Sequence, residues 1–248
     1  MRWPTLLLGV LLLVTGCGSA PEPKAERLPF TPATEPAEAA EAADAPPSAP
    51  RGRYLTARLL SPTALRASPG GRALHRLGLR TEFGSRRILS VTARRAGWLA
   101  VIAPERKNGR LGWIPERRVR LASTNFSVHV DRSARRLTLR RAGRAVRSFP
   151  VAVGRPGTET PTGRFAVTDK LHPDDPGSPY GCCALALSGH QTKLIDGWPG
   201  GDRLAIHATP NAETVGKAAS LGCMRAHTGD IRRLMRTIPV GTPVFIRA

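Results

Sequence analysis

The chain has 248 residues, which allows one or two domains, and a net charge of +20. Residues 1–50 contain three basic and six acidic residues, so the remainder carries 35 basic and 12 acidic residues, a charge of +23. Such a field attracts polyanions. Two interpretations stay open: an anionic partner, or the solvated arginines of an arginine-rich composition. Nucleic acid would be a candidate partner in the cytoplasm, and the N-terminus argues against it.

Residues 1–16 predict a signal peptide. Arg2 supplies a short positive region, and residues 6–14 are apolar apart from Gly9. This stretch is much shorter than the roughly 20 residues of a membrane-spanning helix. It ends in Val14-Thr15-Gly16-Cys17, which resembles a bacterial lipobox, in which the cysteine is diacylated and becomes the new N-terminus. An ordinary signal peptide with a chance cysteine and an uncleaved anchor are the alternatives.

The lipobox predicts an exported protein, lipid-anchored through Cys17 to the outer face of the cytoplasmic membrane and facing the cell wall. Nucleic acid is then not expected as a partner. The polyanions available outside the membrane are wall polymers and anionic headgroups.

The cysteine count indicates a free thiol. Once Cys17 is lipidated, Cys182, Cys183 and Cys223 remain, an odd number that leaves one thiol without a partner in the chain. Cys182 and Cys183 are adjacent; they could line a cleft, form a vicinal disulfide, or be two half-buried small side chains. A thiol kept free outside the cell needs a reason, and nucleophilic catalysis is one.

Three segments follow the signal peptide. Residues 17–50 are rich in Pro, Ala and Glu and predict a disordered tether, because they cannot bury enough apolar surface to offset chain entropy. Residues 51–122 alternate short apolar runs with Gly, Pro and Arg turns, a pattern typical of a small β-barrel. Gly97-Trp98-Leu99-Ala100-Val101 followed by Gly109-Arg110-Leu111-Gly112-Trp113-Ile114 resembles a bacterial SH3-like domain.

Residues 125–248 predict a second β-rich domain. Phe126–Val130 and Arg136–Arg140 alternate apolar and polar residues with period two, and further strands are predicted to the end at Val244–Ile246. Two short helices are expected, over Ala212–Ala219 and Gly229–Arg236. The fold class is therefore mainly β, with a small barrel followed by a β-rich domain that carries one or two short helices.

The most specific chemical signal is a histidine at the end of a strand, His207, 16 positions before Cys223 on a glycine-flanked turn. Only the thiolate attacks well, and an ordinary thiol has a pKa of about 8.5. An imidazole can take the thiol proton and return it to a leaving amine. Amides near Gly222 could hold a developing oxyanion. No acidic residue adjoins His207, so we expect a backbone carbonyl to orient its second nitrogen.

These motifs resemble the L,D-transpeptidase catalytic domain. His207-Ala208-Thr209 and Ser220-Leu221-Gly222-Cys223-Met224-Arg225 are similar to its His-Gly-Thr and Ser-X-Gly-Cys signatures. Two more motifs occur in the family's order, Pro161-Thr162-Gly163-Arg164-Phe165 and the strand Ala184–Ser188 with Gly189. Ala208 departs from the usual glycine, and Leu221 stands where some members have a second histidine.

The resemblance implies a β-sandwich enzyme that cross-links peptidoglycan stem peptides 3→3, with Cys223 as nucleophile and His207 as general base. Ser220, Gly222 and Ala208 would support the oxyanion, and Arg225, Ser188 and Gly189 would contact substrate. It implies acylation by carbapenems and no metal or organic cofactor. Hydrolysis at the same site and a non-catalytic wall-binding protein are the rival hypotheses. A zinc site of His207, Cys223 and His227 is disfavoured, because a fourth ligand is not evident.

Overall fold

A computed structural model describes residues 52–175, 177–195 and 201–248. The expected signal peptide, Cys17 and the tether lie outside the described residues, so those predictions stay predictions. The described part is mainly β with one α-helix, which confirms the expected fold class. No helix in these ranges is long and apolar enough to cross a membrane.

The first sheet has seven antiparallel strands, in the order β3-β2-β6-β5-β4-β1-β7. They are β1 (Tyr54–Leu59), β2 (Thr63–Arg66), β3 (Ala73–Leu77), β4 (Ile88–Arg95), β5 (Trp98–Ile102), β6 (Gly112–Pro115) and β7 (Val119–Thr124). Its inward side chains form a core of their own around Leu65, Leu99 and Ile114. The SH3-like assignment of residues 51–122 stays a prediction.

The second sheet has eight strands, in the order β10-β9-β8-β17-β12-β13-β14-β16. They are β8 (Phe126–Asp131), β9 (Arg136–Arg141), β10 (Arg144–Pro150), β12 (Gly163–Leu171), β13 (Ala184–His190), β14 (Arg203–Ala208), β16 (Met224–Ala226) and β17 (Pro243–Arg247). A short parallel pair, β11 (Val153–Gly154) and β15 (Ala218–Ser220), lies beside it.

Burial follows the period-two pattern at the edge of this sheet and departs from it in the centre. In β9, Leu137 and Leu139 are buried while Arg136 and Arg140 are exposed, as expected for a strand with one solvated face. In β13, every residue from Ala184 to Gly189 is buried. This strand is therefore covered on both faces, and the two strands that follow it in the sheet carry the chemistry described below.

The helix α1 (Thr228–Thr237) covers one face of the sheet at β13 and β14. Ile231, Leu234 and Met235 have the spacing of a single helical face and are buried. Asp230 in its first turn pairs with Arg147 of β10 at 2.8 Å. The predicted helix Gly229–Arg236 is thus confirmed. The helix expected over Ala212–Ala219 is wrong: a three-residue 3₁₀ turn, Ala212–Thr214, leads into β15, and Gly216 adopts a positive φ between them.

The two sheets contact each other through side chains of the first sheet's loops. Thr81 donates a hydrogen bond to Asp169 of β12, and Glu82 pairs with Arg203 of β14. The loop between β5 and β6 contributes Asn108, which bonds the backbone of His190 at the end of β13. Loops of the first sheet are therefore fixed against the strands that lead to His207.

A substitution at Gly189 can test how closely the central strands of the second sheet are packed. A Cβ at this position would lie 2.6 Å from the Phe165 ring and 2.9 Å from a Leu204 methyl carbon. We therefore expect Gly189→Ala to lower the free energy of urea-induced unfolding by about 1–3 kcal/mol, because a well-packed core cannot accept the extra carbon.

Gly229→Ala is the matched control. Gly229 lies in α1, and an added Cβ would meet nothing within 4 Å. A helical alanine is favoured over glycine by about 0.5–1 kcal/mol, so this variant should be neutral or more stable. Equal stabilities of the two variants would contradict the packing argument.

Candidate active site

The pairing of β14 with β16 brings His207 and Cys223 close together. These strands are parallel, with His207 opposite Arg225, and Cys223 lies in the bend directly before β16. Both His207 and Cys223 line one cavity, together with Tyr180, Gln191 and Arg225.

The turn that carries the cysteine, residues 220–223, is called here the Cys223 turn. Ser220 Oγ donates to the Cys223 carbonyl at 2.6 Å and accepts from Gly222 N at 3.0 Å. Thr160 Oγ1 donates to the Gly222 carbonyl at 2.8 Å, and Thr158 Oγ1 donates to the Ser220 carbonyl at 3.2 Å. Thr158 and Thr160, which directly precede the predicted Pro161-Thr162-Gly163 turn, therefore hold the Cys223 turn in place.

Gly222 is required by backbone shape. It has a φ of +125°, and a Cβ there would lie 2.2 Å from Nε2 of Gln191. Its N–H is already bonded to Ser220 Oγ within the turn. In the resting structure the Ser220 hydroxyl and this amide bond each other and shape the turn, and the expected oxyanion role of Gly222 and Ser220 stays a prediction.

His207 is held in one tautomer by a main-chain contact. Its Nδ1 lies 2.6 Å from the Ala208 carbonyl oxygen, which can only accept, so Nδ1 carries the proton and Nε2 is left as the basic nitrogen. A backbone carbonyl was the expected partner. Ala208 itself is fully buried, so its contribution is this carbonyl.

Burial keeps both reactive groups neutral. Desolvation lowers the pKa of His207 to about 4, with the Arg225 charge acting in the same direction and the Ala208 hydrogen bond opposing it. Desolvation also raises the pKa of the Cys223 thiol, opposed by a hydrogen bond from the Ala205 backbone and by Arg225. At neutral pH the resting pair is therefore a thiol and an imidazole.

Tyr180 contacts the His207 ring, and the two cysteines that follow it in the chain connect to the end of β14. The Tyr180 ring meets the His207 ring edge-on with centroids 4.9 Å apart, and burial raises the pKa of its hydroxyl. Cys182 and Cys183 form a disulfide, which leaves Cys223 as the free cysteine among the described residues. The Cys183 carbonyl accepts from Ala208 N at 3.1 Å, so this loop is tied to the end of β14.

The structure separates the remaining predicted residues. Arg225 lines the cavity beside His207. Ser188 and Gly189 do not: Ser188 Oγ accepts from Ala166 N at 3.0 Å, and Gly189 packs on Phe165. Both residues therefore contribute to packing within the sheet, and their expected substrate contact stays a prediction. His227, from the disfavoured zinc set, precedes α1 and is not among the residues that line this cavity.

Three residues of the site were missed from sequence. Tyr180 lies in the Pro179-Tyr180-Gly181 turn, directly before the cysteine pair, which is the signal that could have found it. Thr160 adjoins the Pro161-Thr162-Gly163 motif. Gln191 directly follows β13, and no feature of the sequence marks it as a side chain of the site.

The site thus places a free thiol and a buried imidazole on one cavity, beside a hydrogen-bonded turn. Residues 125–246 match the family model YkuD, the L,D-transpeptidase catalytic domain, so the resemblance read from the motifs is confirmed over this segment.

Curated relatives are similar over the same region. A Bacillus subtilis (strain 168) protein named as the L,D-transpeptidase YkuD is 35% identical over 121 residues, which cover 49% of this chain and 65% of that protein. A second protein of that strain, named as the L,D-transpeptidase YqjB, is 37% identical over 105 residues, 40% of this chain and 57% of that protein. The chain thus spans less than two thirds of either relative.

Solved L,D-transpeptidases are similar at a lower level. One from Mycobacterium smegmatis is 19% identical with a TM-score of 0.39, covering 56% of this chain and 73% of that chain. L,D-transpeptidase 3 from Mycobacterium tuberculosis is 18% identical with a TM-score of 0.41, covering 56% of this chain and 74% of that chain.

The depressed pKa of His207 makes a prediction for stability. Its folded pKa of about 4 is below the ordinary 6.5, so the unfolded chain binds a proton first as the pH falls. The contribution to stability is complete above pH 6.5 and is lost between pH 6.5 and 4, about 3 kcal/mol in all. Urea unfolding of wild type and His207→Gln at pH 7, 6, 5 and 4 measures it.

The quantity to compare is the difference between the two proteins at each pH, because carboxylates titrate in both. We expect wild type to lose about 3 kcal/mol relative to His207→Gln across this range. Parallel stability curves would contradict the depressed pKa. Any reaction that needs neutral His207 should by the same shift keep its rate down to about pH 4.

Proposed function

We propose that this chain is a peptidoglycan L,D-transpeptidase that forms 3→3 cross-links through a thioacyl intermediate on Cys223, with His207 as general base. The observation that carries the proposal is the shared cavity: a free thiol and the buried, tautomer-fixed imidazole both line it. The family match and the activity in the names of the curated relatives support the reaction class.

In the first half-reaction, Cys223 Sγ attacks the carbonyl carbon of residue three of a tetrapeptide stem. The thiol proton passes to His207 Nε2 as the C–S bond forms, because the resting pair is neutral. The tetrahedral intermediate collapses, the C–N bond to D-alanine breaks, and His207 returns the proton to the leaving amine. The products are free D-alanine and a thioester on Cys223.

In the second half-reaction, a neutral amine of a neighbouring stem attacks the thioester carbon. His207 Nε2 takes the amine proton, the C–S bond breaks, and the proton passes to the departing sulfur, which restores the thiol. Water in place of the amine would release a tripeptide, so an L,D-carboxypeptidase side activity uses the same steps.

Side chains around the cavity suit a peptide substrate. Arg225 offers a guanidinium to a stem carboxylate beside the reacting atoms. Leu194 and Ile195, which are 55% and 41% exposed, line the cavity as apolar surface, and Lys193 beside them pairs with Glu159 at 3.0 Å. These residues give the cavity an exposed apolar wall that a stem peptide could contact.

The lipobox supports the placement of the protein. We propose that Cys17 carries the lipid anchor and that the enzyme faces the wall from the outer side of the cytoplasmic membrane. The charge of +23 after residue 50 would favour contact with anionic wall polymers there.

The first test is covalent capture by a carbapenem. We expect intact mass spectrometry of the full chain to show one equivalent of added carbapenem, because the strained lactam carbonyl accepts the Cys223 sulfur as a stem carbonyl would. Cys223→Ala should show none, and His207→Gln should be acylated at least about a hundredfold more slowly, since it removes the general base. A wild-type chain that stays unmodified would favour the non-catalytic wall-binding hypothesis.

The second test separates transfer from hydrolysis. Incubation with disaccharide-tetrapeptides should give cross-linked dimers and free D-alanine, resolved by liquid chromatography and mass spectrometry. Cys223→Ala is the control for background cleavage. Tripeptides without dimers, at substrate concentrations in the millimolar range, would assign the site to an L,D-carboxypeptidase.

A further inference from the structure

Gln191 contacts the Cys223 turn without being a reacting group. It follows β13 directly, lines the cavity and is only 7% exposed. One N–H of its Nε2 donates to the Leu221 carbonyl at 2.8 Å, and the other donates to the Thr158 carbonyl at 3.0 Å with the Glu159 carbonyl oxygen also within 3.3 Å. One buried amide thus joins the Cys223 turn to the segment that supplies Thr158 and Thr160.

The close fit of Gln191 against Gly222 strengthens this contact. A Cβ on Gly222 would lie 2.2 Å from Nε2, so the amide occupies the space that the missing side chain leaves. The opposite end of the amide is also fixed, because Oε1 accepts from Lys193 N at 3.1 Å. The side chain therefore has one position available to it.

The first sheet holds the residue before it. Asn108, in the loop between β5 and β6, donates to the His190 carbonyl at 2.7 Å and accepts from His190 N at 2.9 Å. His190 Nε2 donates to the Pro104 carbonyl at 2.6 Å, and its Nδ1 lies 2.9 Å from Asp202. Gln191 N donates to the Asp202 carbonyl at 2.6 Å. These bonds fix the backbone from which Gln191 projects.

We propose that Gln191 is a positioning residue for the Cys223 turn and that the loop between β5 and β6 of the first sheet, through Asn108 and His190, keeps it there. The inference rests on the proposed function in that the turn carries the reacting sulfur. It assigns the first sheet a part in setting the geometry of Cys223, in addition to any ligand of its own.

The test compares two reactions of Cys223. Acylation by a carbapenem needs the sulfur placed beside His207, whereas alkylation by iodoacetamide needs only an accessible sulfur in its thiolate form. Gln191→Met keeps the length of the side chain and removes its N–H donors. We expect carbapenem acylation to fall by at least about tenfold, because a displacement near 1 Å can reduce a rate strongly.

Alkylation should change in the opposite sense. Burial raises the pKa of the Cys223 thiol. A released turn exposes the sulfur, so iodoacetamide should react faster and the midpoint of its pH–rate profile should move down towards an ordinary thiol. Peptide mapping assigns the modification to Cys223 rather than to the neighbouring cysteines.

Asn108→Ala is the second variant. It removes the two bonds to the His190 backbone from a half-buried loop, so the fold should tolerate it. It should change both rates in the same directions as Gln191→Met, by smaller factors. Urea unfolding of each variant sets conditions in which the protein is fully folded.

Thr242→Val is the matched control. Thr242 is fully buried and its hydroxyl donates to the Pro239 carbonyl at 2.6 Å, in the turn before β17. The substitution removes a buried hydrogen bond that does not involve the Cys223 turn. The rates of carbapenem acylation and of iodoacetamide alkylation should therefore stay at wild-type values. Rates in Gln191→Met equal to those of this control would overturn the positioning role, and unchanged rates in Asn108→Ala would overturn the part of the first sheet.

The two proposals can fail separately. A wild-type chain that no carbapenem acylates would contradict the proposed function. The alkylation profile does not depend on that activity, so it still decides whether Gln191 and Asn108 position Cys223.

Discussion

The position of the Cys223 sulfur depends on a set of hydrogen bonds to the four carbonyls of the Cys223 turn. The Ser220 carbonyl accepts from Thr158 and from Arg155 N, the Leu221 carbonyl from Gln191, the Gly222 carbonyl from Thr160, and the Cys223 carbonyl from Ser220. A buried carbonyl without a donor is costly, so each bond opposes movement of the turn. The sulfur consequently projects from a backbone with little freedom, although the turn contains a glycine.

The parallel pairing of β14 with β16 fixes the position of Cys223 relative to His207. His207 is fixed by its place in a buried strand and by the Ala208 carbonyl, and Cys223 is fixed by the turn. The donors come from three separated stretches, residues 155–160, Gln191 and the turn itself. The site is therefore assembled from stretches that are distant in the chain, and we expect a change in any of the three to alter the position of the sulfur.

The sequence was sufficient for those parts of the molecule that local chemistry decides. The alternation in β9, the apolar face of α1 and the order of the His207 and Cys223 motifs all survive in the structure. It failed where long-range packing decides. The segment 212–219 does not form the expected α-helix, because its end belongs to β15, which pairs with β11. Ser188 points into the sheet, where its hydroxyl accepts a hydrogen bond from Ala166 of β12. Gln191 could not be recognised, since its function depends on contacts with residues about 30 positions away in either direction.

Desolvation of Cys223 suits a free thiol in a chain that also holds a disulfide. Only the thiolate attacks a disulfide or an electrophile at a useful rate. The environment that raises the pKa of Cys223 also lowers that of His207, so neither group ionises alone at neutral pH. In the proposed reaction, proton transfer would therefore accompany formation of the bond to sulfur, because the imidazolium is then produced beside a developing negative charge. The hydrogen-bonded turn would hold the partly exposed sulfur at the cavity wall for a carbonyl that enters, while desolvation of the thiol keeps the reactive thiolate scarce until then.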